Sequence, residues 1–182
     1  MPSMRTAAAT AALVLVAAGC GGNGGTATPT PAASENSPPG DIPDNQAFVA
    51  YAPPHAGYSV KVPEGWARTT ADGATSFTDK LNTVTLEAGD ATSAPTVADA
   101  KRTAPAKARV SLVKRTSGPA VRITYLAQSR PDPVTGKART NAVERYLFFH
   151  AGREAILTLS GPKGADNVDP WRIITDSLRW TP

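Results

Sequence analysis

Alternation between apolar and polar residues recurs along this chain from Tyr51 to its C-terminal end. In the segment YSVKV, Tyr58 and Val60 face one side of an extended chain, whereas Ser59 and Lys61 face the other. Four further segments are predicted strands: 74–78, 83–88, 110–115 and 120–128. A chain with this pattern is expected to build a β-sheet that buries one of its faces.

Two later segments, 142–150 and 153–160, carry apolar residues on both faces. In the first of them, Leu147 and Phe149 alternate with Phe148, so neither face of the strand is purely polar. Strands of this kind lie inside a sheet that is covered on both sides. We therefore expect the two segments to be central strands, each buried on both faces.

Helices are predicted at two places. The first spans 96–103, with Thr96 as its N-cap, because a threonine hydroxyl can accept a hydrogen bond from a free N–H at a helix start. The second lies near the C-terminal end, with Asp169 as N-cap and Pro170 as its first residue. Its apolar face then carries Trp171. A last extended piece is expected at 177–180.

The predicted elements amount to about seven strands and two helices, an α+β fold in which the helices cover a mostly antiparallel sheet. With 182 residues, of which 41% are apolar, the chain has room for one such domain, which we place at 45–182. The single cysteine, Cys20, lies outside this domain. The domain therefore contains no disulfide and no cysteine-rich metal site.

The segment 1–19 is typical of a signal peptide. A positive charge at Arg5 precedes an apolar stretch, 7–18, that is shorter than the roughly 20 residues needed to span a membrane. The stretch ends in VAAGC, which resembles the lipobox of bacterial lipoproteins, although Ala17 stands where leucine is commonest. We predict cleavage before Cys20 and transfer of a diacylglyceryl group to its thiol, with no other cofactor.

Lipidation of Cys20 is expected to hold the protein on the outer face of the cytoplasmic membrane, because two acyl chains give stable anchoring where one is marginal. The alternative is cleavage by the ordinary signal peptidase, which releases a secreted protein with a free thiol. Residues 20–44 are rich in Gly, Pro, Thr and Ser and are predicted to form a disordered linker. Its TPTP stretch is either a plain spacer or a site for O-linked sugar.

The segment YSVKVPEGW, the strand TSFTDK after it and the final SLRW together resemble the PsbP-like and Mog-type fold. Within that fold they are similar to the LpqN-type lipoproteins of actinobacteria. The resemblance covers 48–181 and depends mostly on Pro63, Gly65 and Trp66. It implies an α/β sandwich and an accessory or binding role, but it assigns no role to any residue.

The residues Trp66 and Trp171 have two interpretations each. Large aromatic residues most often pack in a core, which would make both structural, together with Pro63 and Gly65. The alternative is that the two indoles line a pocket for an acyl chain or for a side chain of a partner.

Motifs for catalysis, metal binding and nucleic-acid binding are missing from the sequence. It contains no G-x-S-x-G nucleophile elbow and no glycine-rich phosphate loop that precedes a helix. Its two histidines, His55 and His150, have no partner at metal-ligand spacing. A net charge of +4 is too small to indicate nucleic acid. We therefore expect no catalytic residues, no metal and no nucleic-acid partner, and we rank an envelope enzyme last.

Between residues 101 and 130 the chain has eight basic residues and no acidic one. Six of them are candidates for binding an anionic surface: Lys101, Arg102, Lys107, Arg109, Lys114 and Arg115. The alternative is a solvated face whose charges protect the strand edges from aggregation.

Two functional hypotheses follow. The first is a non-enzymatic binding or accessory module that is anchored in membrane lipid and docks on an envelope protein. The second is a carrier or sensor of a small apolar ligand, such as a lipid, held between the sheet and a helix. A closed core favours the first hypothesis, and a continuous apolar cavity of about 300 Å³ or more favours the second.

Overall fold

The computed structural model describes residues 38–181. The predicted signal peptide (1–19), the lipidation site Cys20 and the linker as far as residue 37 lie outside the described residues, so these interpretations stay predictions. Within 38–181, no helix has the length and apolar character needed to cross a membrane.

The described part of the chain forms ten strands and two helices, an α+β fold as predicted. The strands are β1 (Phe48–Tyr51), β2 (Tyr58–Pro63), β3 (Ala67–Ala71), β4 (Ala74–Thr78), β5 (Thr83–Asp90), β6 (Arg109–Arg115), β7 (Gly118–Gln128), β8 (Thr140–His150), β9 (Arg153–Pro162) and β10 (Arg179–Trp180). The helices are α1 (Val97–Thr103), between β5 and β6, and α2 (Val168–Asp176), between β9 and β10.

Seven of the strands form one large sheet in the order β3-β4-β5-β9-β8-β7-β6. Every neighbouring pair in it is antiparallel. The remaining strands form a small sheet in the order β1-β2-β10. The prediction that 142–150 and 153–160 are central strands is confirmed, because β8 and β9 lie in the middle of the large sheet.

One hydrophobic core fills the space between the large sheet and a covering layer made by β2 and α2. We call the face of the large sheet that contacts this layer the inner face. The sheet contributes Phe148 and Leu157, and the covering layer contributes Val60, Trp171 and Ile174, none of which is more than 8% exposed. This face of the sheet is therefore the one that the alternating pattern buries.

On the opposite, outer face, α1 packs mainly against β6 and β7, where Ala100 lies in a small cluster with Val121 and Ile123. The outer faces of β8 and β9 are less well covered, since Phe149 and Ile156 are half-buried. The expectation that both strands are buried on both faces is therefore wrong. A helix of seven residues is about 10 Å long and cannot reach across more than two or three strands.

Two strands have no counterpart in the sequence prediction, β1 and β3, whereas β10 lies within the extended piece predicted at 177–180. All five residues of β3 are exposed, so no apolar alternation marks it. β3 owes its place to a tight turn onto β4, in which Asp72 and Gly73 both have positive φ (53° and 78°). This conformation is typical of the two-residue hairpin turn that matches the twist of antiparallel strands.

The helix starts agree with the prediction in one case and differ in the other. At α1, the hydroxyl of Thr96 accepts a hydrogen bond from the N–H of Asp99 at 3.1 Å, so the predicted N-cap is confirmed. Helix α2 begins at Val168, which makes Asn167 its N-cap in place of the predicted Asp169. Asp169 lies instead in the first turn, where its negative charge still interacts favourably with the helix dipole.

Residues 40–42 belong to the folded part, which corrects the end of the predicted linker at residue 44. Ile42 is 3% exposed, and its N–H donates to Asn167 Oδ1 at 2.8 Å. The carbonyl of Gly40 accepts from the side-chain amides of Asn82 and Asn167, at 3.0 and 3.1 Å. We call Gly40, Ile42, Asn82 and Asn167 the amide clasp. Composition does not reveal the clasp, because two of its four members take part through backbone groups.

The residues on which the family resemblance depends lie at one end of β2. Pro63 is buried as the last residue of the strand, and Gly65 follows in a turn with φ of +81°, which favours glycine. Trp66 is only half-buried and packs at the edge of the core, whereas Trp171 is 8% exposed and lies within it. The interpretation of Trp66 as a core residue therefore needs correction, because the turn places it at the rim.

Candidate functional site

A groove of about 450 Å³ opens beside helix α2, where the inner faces of β7 and β8 extend beyond the core. We call it the α2 groove. Its lining residues come from the loop between α1 and β6, from the start of β6, from β7, from β8 and from α2: Ala106, Lys107, Arg109, Thr124, Tyr125, Leu126, Ala142, Val143, Glu144 and Trp171.

The two sides of the α2 groove differ in polarity. Its apolar part includes Ala142, the indole of Trp171 and Leu126, which is 57% exposed although it lies in a strand. Lys107 and Arg109 are exposed and contribute positive charge on the side of β6. The arrangement suits a group that combines an apolar body with acidic or hydrogen-bonding atoms.

A polar cluster continues from Glu144 into the space beneath α2. The hydroxyl of Tyr146 donates to Glu144 Oε2 at 2.5 Å and accepts from Arg115 Nη2 at 2.9 Å. Arg115 also donates from Nε to Thr175 Oγ1 of α2 at 3.1 Å, and its guanidinium lies 5.1 Å from the centre of the Tyr146 ring. The cluster therefore joins β6, β8 and α2 and fixes one wall of the groove.

Burial and the neighbouring carboxylate of Glu144 both raise the pKa of Tyr146, and Arg115 opposes them. The phenol is thus held in its protonated form, which is the form that can donate to Glu144. Glu144 is in turn 3.8 Å from Arg122 Nη1, while Arg122 Nε is buried and has no hydrogen-bond partner among residues 38–181. The cluster therefore contains one buried donor, Arg122 Nε, that is not used by the described residues.

The six basic candidate residues do not form one surface. Lys107 and Arg109 line the α2 groove, and Lys101 and Lys114 are exposed on α1 and β6. Two of the six have other contacts. Arg102 pairs with Asp99 within α1, and the side chain of Arg115 is only 15% exposed, so Arg115 is not available at the surface. Binding of an anionic surface by the other residues stays a prediction.

A second cluster of charges lies on the outer face of the large sheet. Arg145 Nη2 pairs with Glu87 Oε2 at 3.0 Å, and burial raises the pKa of the nearby Glu154, with Arg145 opposing and Glu87 reinforcing the shift. Because the folded state binds this proton more tightly than the unfolded state, the resulting stability is present below the ordinary pKa of 4.5 and is lost as pH rises through the raised value.

Substitution Glu154→Gln is therefore expected to stabilise the protein increasingly above pH 4.5 and to change little below it. Thermal melts of both proteins from pH 4 to pH 7 measure this difference. Glu64→Gln, at an exposed turn residue, serves as the control. A difference that does not grow with pH would show that Glu154 titrates at the same pH in the folded and unfolded states.

The histidines have no shared site in the structure. His150 stacks on Trp180 with ring centres 5.6 Å apart, and His55 lies in a turn with φ of +59°. In the described part of the chain, no group of three or more His, Cys, Asp and Glu side chains is placed to hold a metal ion.

Comparison with known proteins supports the fold alone. No family model and no curated protein matches the sequence. A crystal structure of a protein from Bacteroides thetaiotaomicron VPI-5482 aligns with a TM-score of 0.54 and 14% identity, over 69% of this chain and 46% of that protein. This chain thus spans less than half of the Bacteroides protein. The solution structure of cyanobacterial PsbP (CyanoP) from Synechocystis sp. PCC 6803 aligns with a TM-score of 0.50 and 12% identity, over 79% of this chain and 99% of CyanoP.

The chain has the PsbP-like α+β sandwich that the sequence resemblance implies. LpqN from Mycobacterium tuberculosis, a protein involved in cell envelope biogenesis, aligns over 76% of this chain and 93% of LpqN, with 15% identity and a TM-score of only 0.38. At that distance no closer relation to LpqN follows, and the LpqN-type lipoprotein assignment stays a prediction.

Proposed function

We propose that this chain is a non-enzymatic accessory module of the cell envelope, anchored in the membrane through lipid on Cys20, and that the α2 groove is its binding surface. The observation that carries the proposal is a groove with an apolar wall, basic residues at one side and the carboxylate of Glu144, which the polar cluster fixes, among its lining residues. Grooves of this size with a few fixed polar groups are typical of binding sites.

The anchor is supported by the sequence 1–20, and it has a direct test. Cys20→Ala is expected to abolish incorporation of labelled palmitate and to move the protein out of the membrane fraction or leave it as uncleaved precursor, because alanine has no thiol to receive the lipid. Cell fractionation with immunoblotting measures this. Ser37→Ala, which leaves the lipobox intact, is the control. Wild-type protein that incorporates no palmitate would refute the anchor.

A second candidate function is a carrier of a small apolar ligand. The volume of the α2 groove, about 450 Å³, exceeds the 300 Å³ or so that such a ligand needs, and Leu126 and Trp171 offer it an apolar wall. The groove is open to solvent and is lined in part by Lys107, Arg109 and Glu144, however, so it is not the continuous apolar cavity that would favour a carrier most strongly.

One experiment separates the two functions. A photo-crosslinking amino acid placed at Leu126, which is exposed enough to tolerate it, is expected to yield adducts in the intact envelope. An adduct with another protein supports the accessory module, and an adduct with lipid supports the carrier, because mass spectrometry distinguishes them. The same amino acid at Val134, which is 90% exposed in the loop after β7, is the control. Equal adducts from both positions would contradict a specific role for the groove.

A further inference from the structure

Strand β6 forms one edge of the large sheet and, within residues 38–181, is paired only with β7. In an antiparallel pair, every second residue directs its N–H and C=O away from the neighbouring strand. The free side of β6 therefore presents a row of backbone donors and acceptors to which another strand can pair. The strand at the other edge of the sheet, β3, also has one side that is not paired within residues 38–181, but its side chains differ from those of β6.

Beside this edge, β6 exposes an apolar side chain. Leu112 is 65% exposed, and with Val113, Gly118 and Pro119 it lines a shallow depression of about 410 Å³ at the β6–β7 hairpin. By contrast, β3 has the sequence ARTTA and carries no large apolar residue. Of the two edges, β6 is therefore the one that offers both backbone pairing and a place for an apolar side chain.

The positive charge of the β6 edge determines which kind of strand can pair with it favourably. Arg109 and Lys114 are exposed on the strand, and the whole segment 101–130 contains no acidic residue. A second copy of this chain would place like charges opposite one another if it paired there, which is unfavourable. An acidic strand would gain favourable pairs at the same positions.

We propose that β6 is a docking edge for an extended, acidic segment of a partner protein, which adds to the large sheet as a further strand. Backbone hydrogen bonds bind the segment to β6, Leu112 contacts one of its apolar side chains, and Lys114 pairs with one of its carboxylates. This site is separate from the α2 groove, since neither Leu112 nor Lys114 lines that groove.

The probe is the synthetic peptide Thr-Glu-Thr-Val-Thr-Glu-Thr, added to the full chain. Leu112 and Lys114 point to the same face, so one valine between two glutamates on one face of the peptide matches their spacing. We expect amide resonances of β6 to shift on titration, and its outward amides to gain protection from hydrogen exchange. Affinity should fall as salt rises.

Matched peptides and variants test each part of the proposal. A peptide with lysine in place of glutamate, and one with alternate amides N-methylated, should both fail to bind. Lys114→Glu is expected to weaken binding about fivefold or more, because an exposed ion pair becomes a repulsion, whereas Lys137→Glu in the loop after β7 should leave it unchanged. Leu112→Ser should weaken it similarly, and Val134→Ser should not.

The outcomes that would overturn the proposal are clear-cut. Equal binding of the lysine peptide would show that charge plays no part, and equal binding of the N-methylated peptide would show that no strand is added. Absence of any β6 shift at millimolar peptide, or a dimer that forms through β6, would likewise exclude an acidic partner strand at this edge. None of these results bears on the α2 groove, whose test uses Leu126.

Discussion

Phe148→Ala is expected to lower the free energy of unfolding by about 3–5 kcal/mol, the range found when a large aromatic side chain is removed from a core. Phe148 is 1% exposed, and its neighbours across the sheet are Ala120 and Ala155. Such small side chains cannot expand into the space that the ring leaves, so the cavity remains largely unfilled. Denaturant titration followed by tryptophan fluorescence measures the loss.

The adjacent substitution Phe149→Ala is the matched control. Phe149 points to the outer face of the same strand, where it is only half-buried. The same change of side chain is therefore expected to cost less than half as much, since less apolar surface returns to water. Equal losses for the two variants would show that the assignment of inner and outer faces of β8 is wrong.

Asn167→Ala is expected to destabilise the protein by about 2–5 kcal/mol, because it leaves two buried polar groups without partners. Those groups are the N–H of Ile42 and the side-chain oxygen of Asn82, which accepts from Asn167 Nδ2 at 3.0 Å. Asn82 and Asn167 are 1% and 3% exposed, so water cannot readily replace the lost bonds. Chemical denaturation gives the total loss, and hydrogen exchange at the Ile42 amide reports on the clasp itself.

Asn141→Ala provides the comparison for this variant. The side chain of Asn141 is half-buried and makes one hydrogen bond, from Nδ2 to Ser160 Oγ at 3.1 Å. Its removal is expected to cost about 1 kcal/mol and to leave exchange at Ile42 unchanged. If Asn167→Ala were as mild as Asn141→Ala, the amide clasp would not be what holds residues 40–42 in place.

The strands of both sheets are predictable from sequence wherever burial differs between their faces. The alternation in β2, β5 and β7 and the apolar character of β8 and β9 depend only on residues that are adjacent in sequence. A local pattern is therefore sufficient to predict these strands. The start of α1 is predictable for the same reason, since the cap at Thr96 needs only a residue three positions away.

The α2 groove is not predictable in this way, because its walls come from segments far apart in the chain. Thr124 and Glu144 are brought side by side by the pairing of β7 with β8, and Trp171 reaches them only once α2 packs on the sheet. The polar cluster has the same origin, since Arg115 and Tyr146 are 31 positions apart. A partial signal was present in the basic segment, which supplies Lys107 and Arg109.

The errors at Asp169 and Trp66 have a common physical cause. Asp169 satisfies the local preference for an N-cap, but Asn167 is held in the amide clasp and the helix begins one residue after it. Trp66 has the size of a core residue, but the turn at Gly65 directs the chain to the rim of the core. In both cases a tertiary contact or a turn outweighs a preference that is correct on average.

The amide clasp also determines where tension would enter the folded protein if the chain is held at its N-terminal end. Gly40 and Ile42 lie near the start of the described residues 38–181. They precede β1 and are bound to Asn82, after β4, and Asn167, before α2. A pull on this segment would therefore load the three hydrogen bonds of the clasp, together with the bond from the Asp166 N–H to Asp41 Oδ1 at 2.8 Å, before it reaches β1. If the proposed anchor exists, the clasp would therefore be the part of the described fold that first bears any force transmitted along the linker.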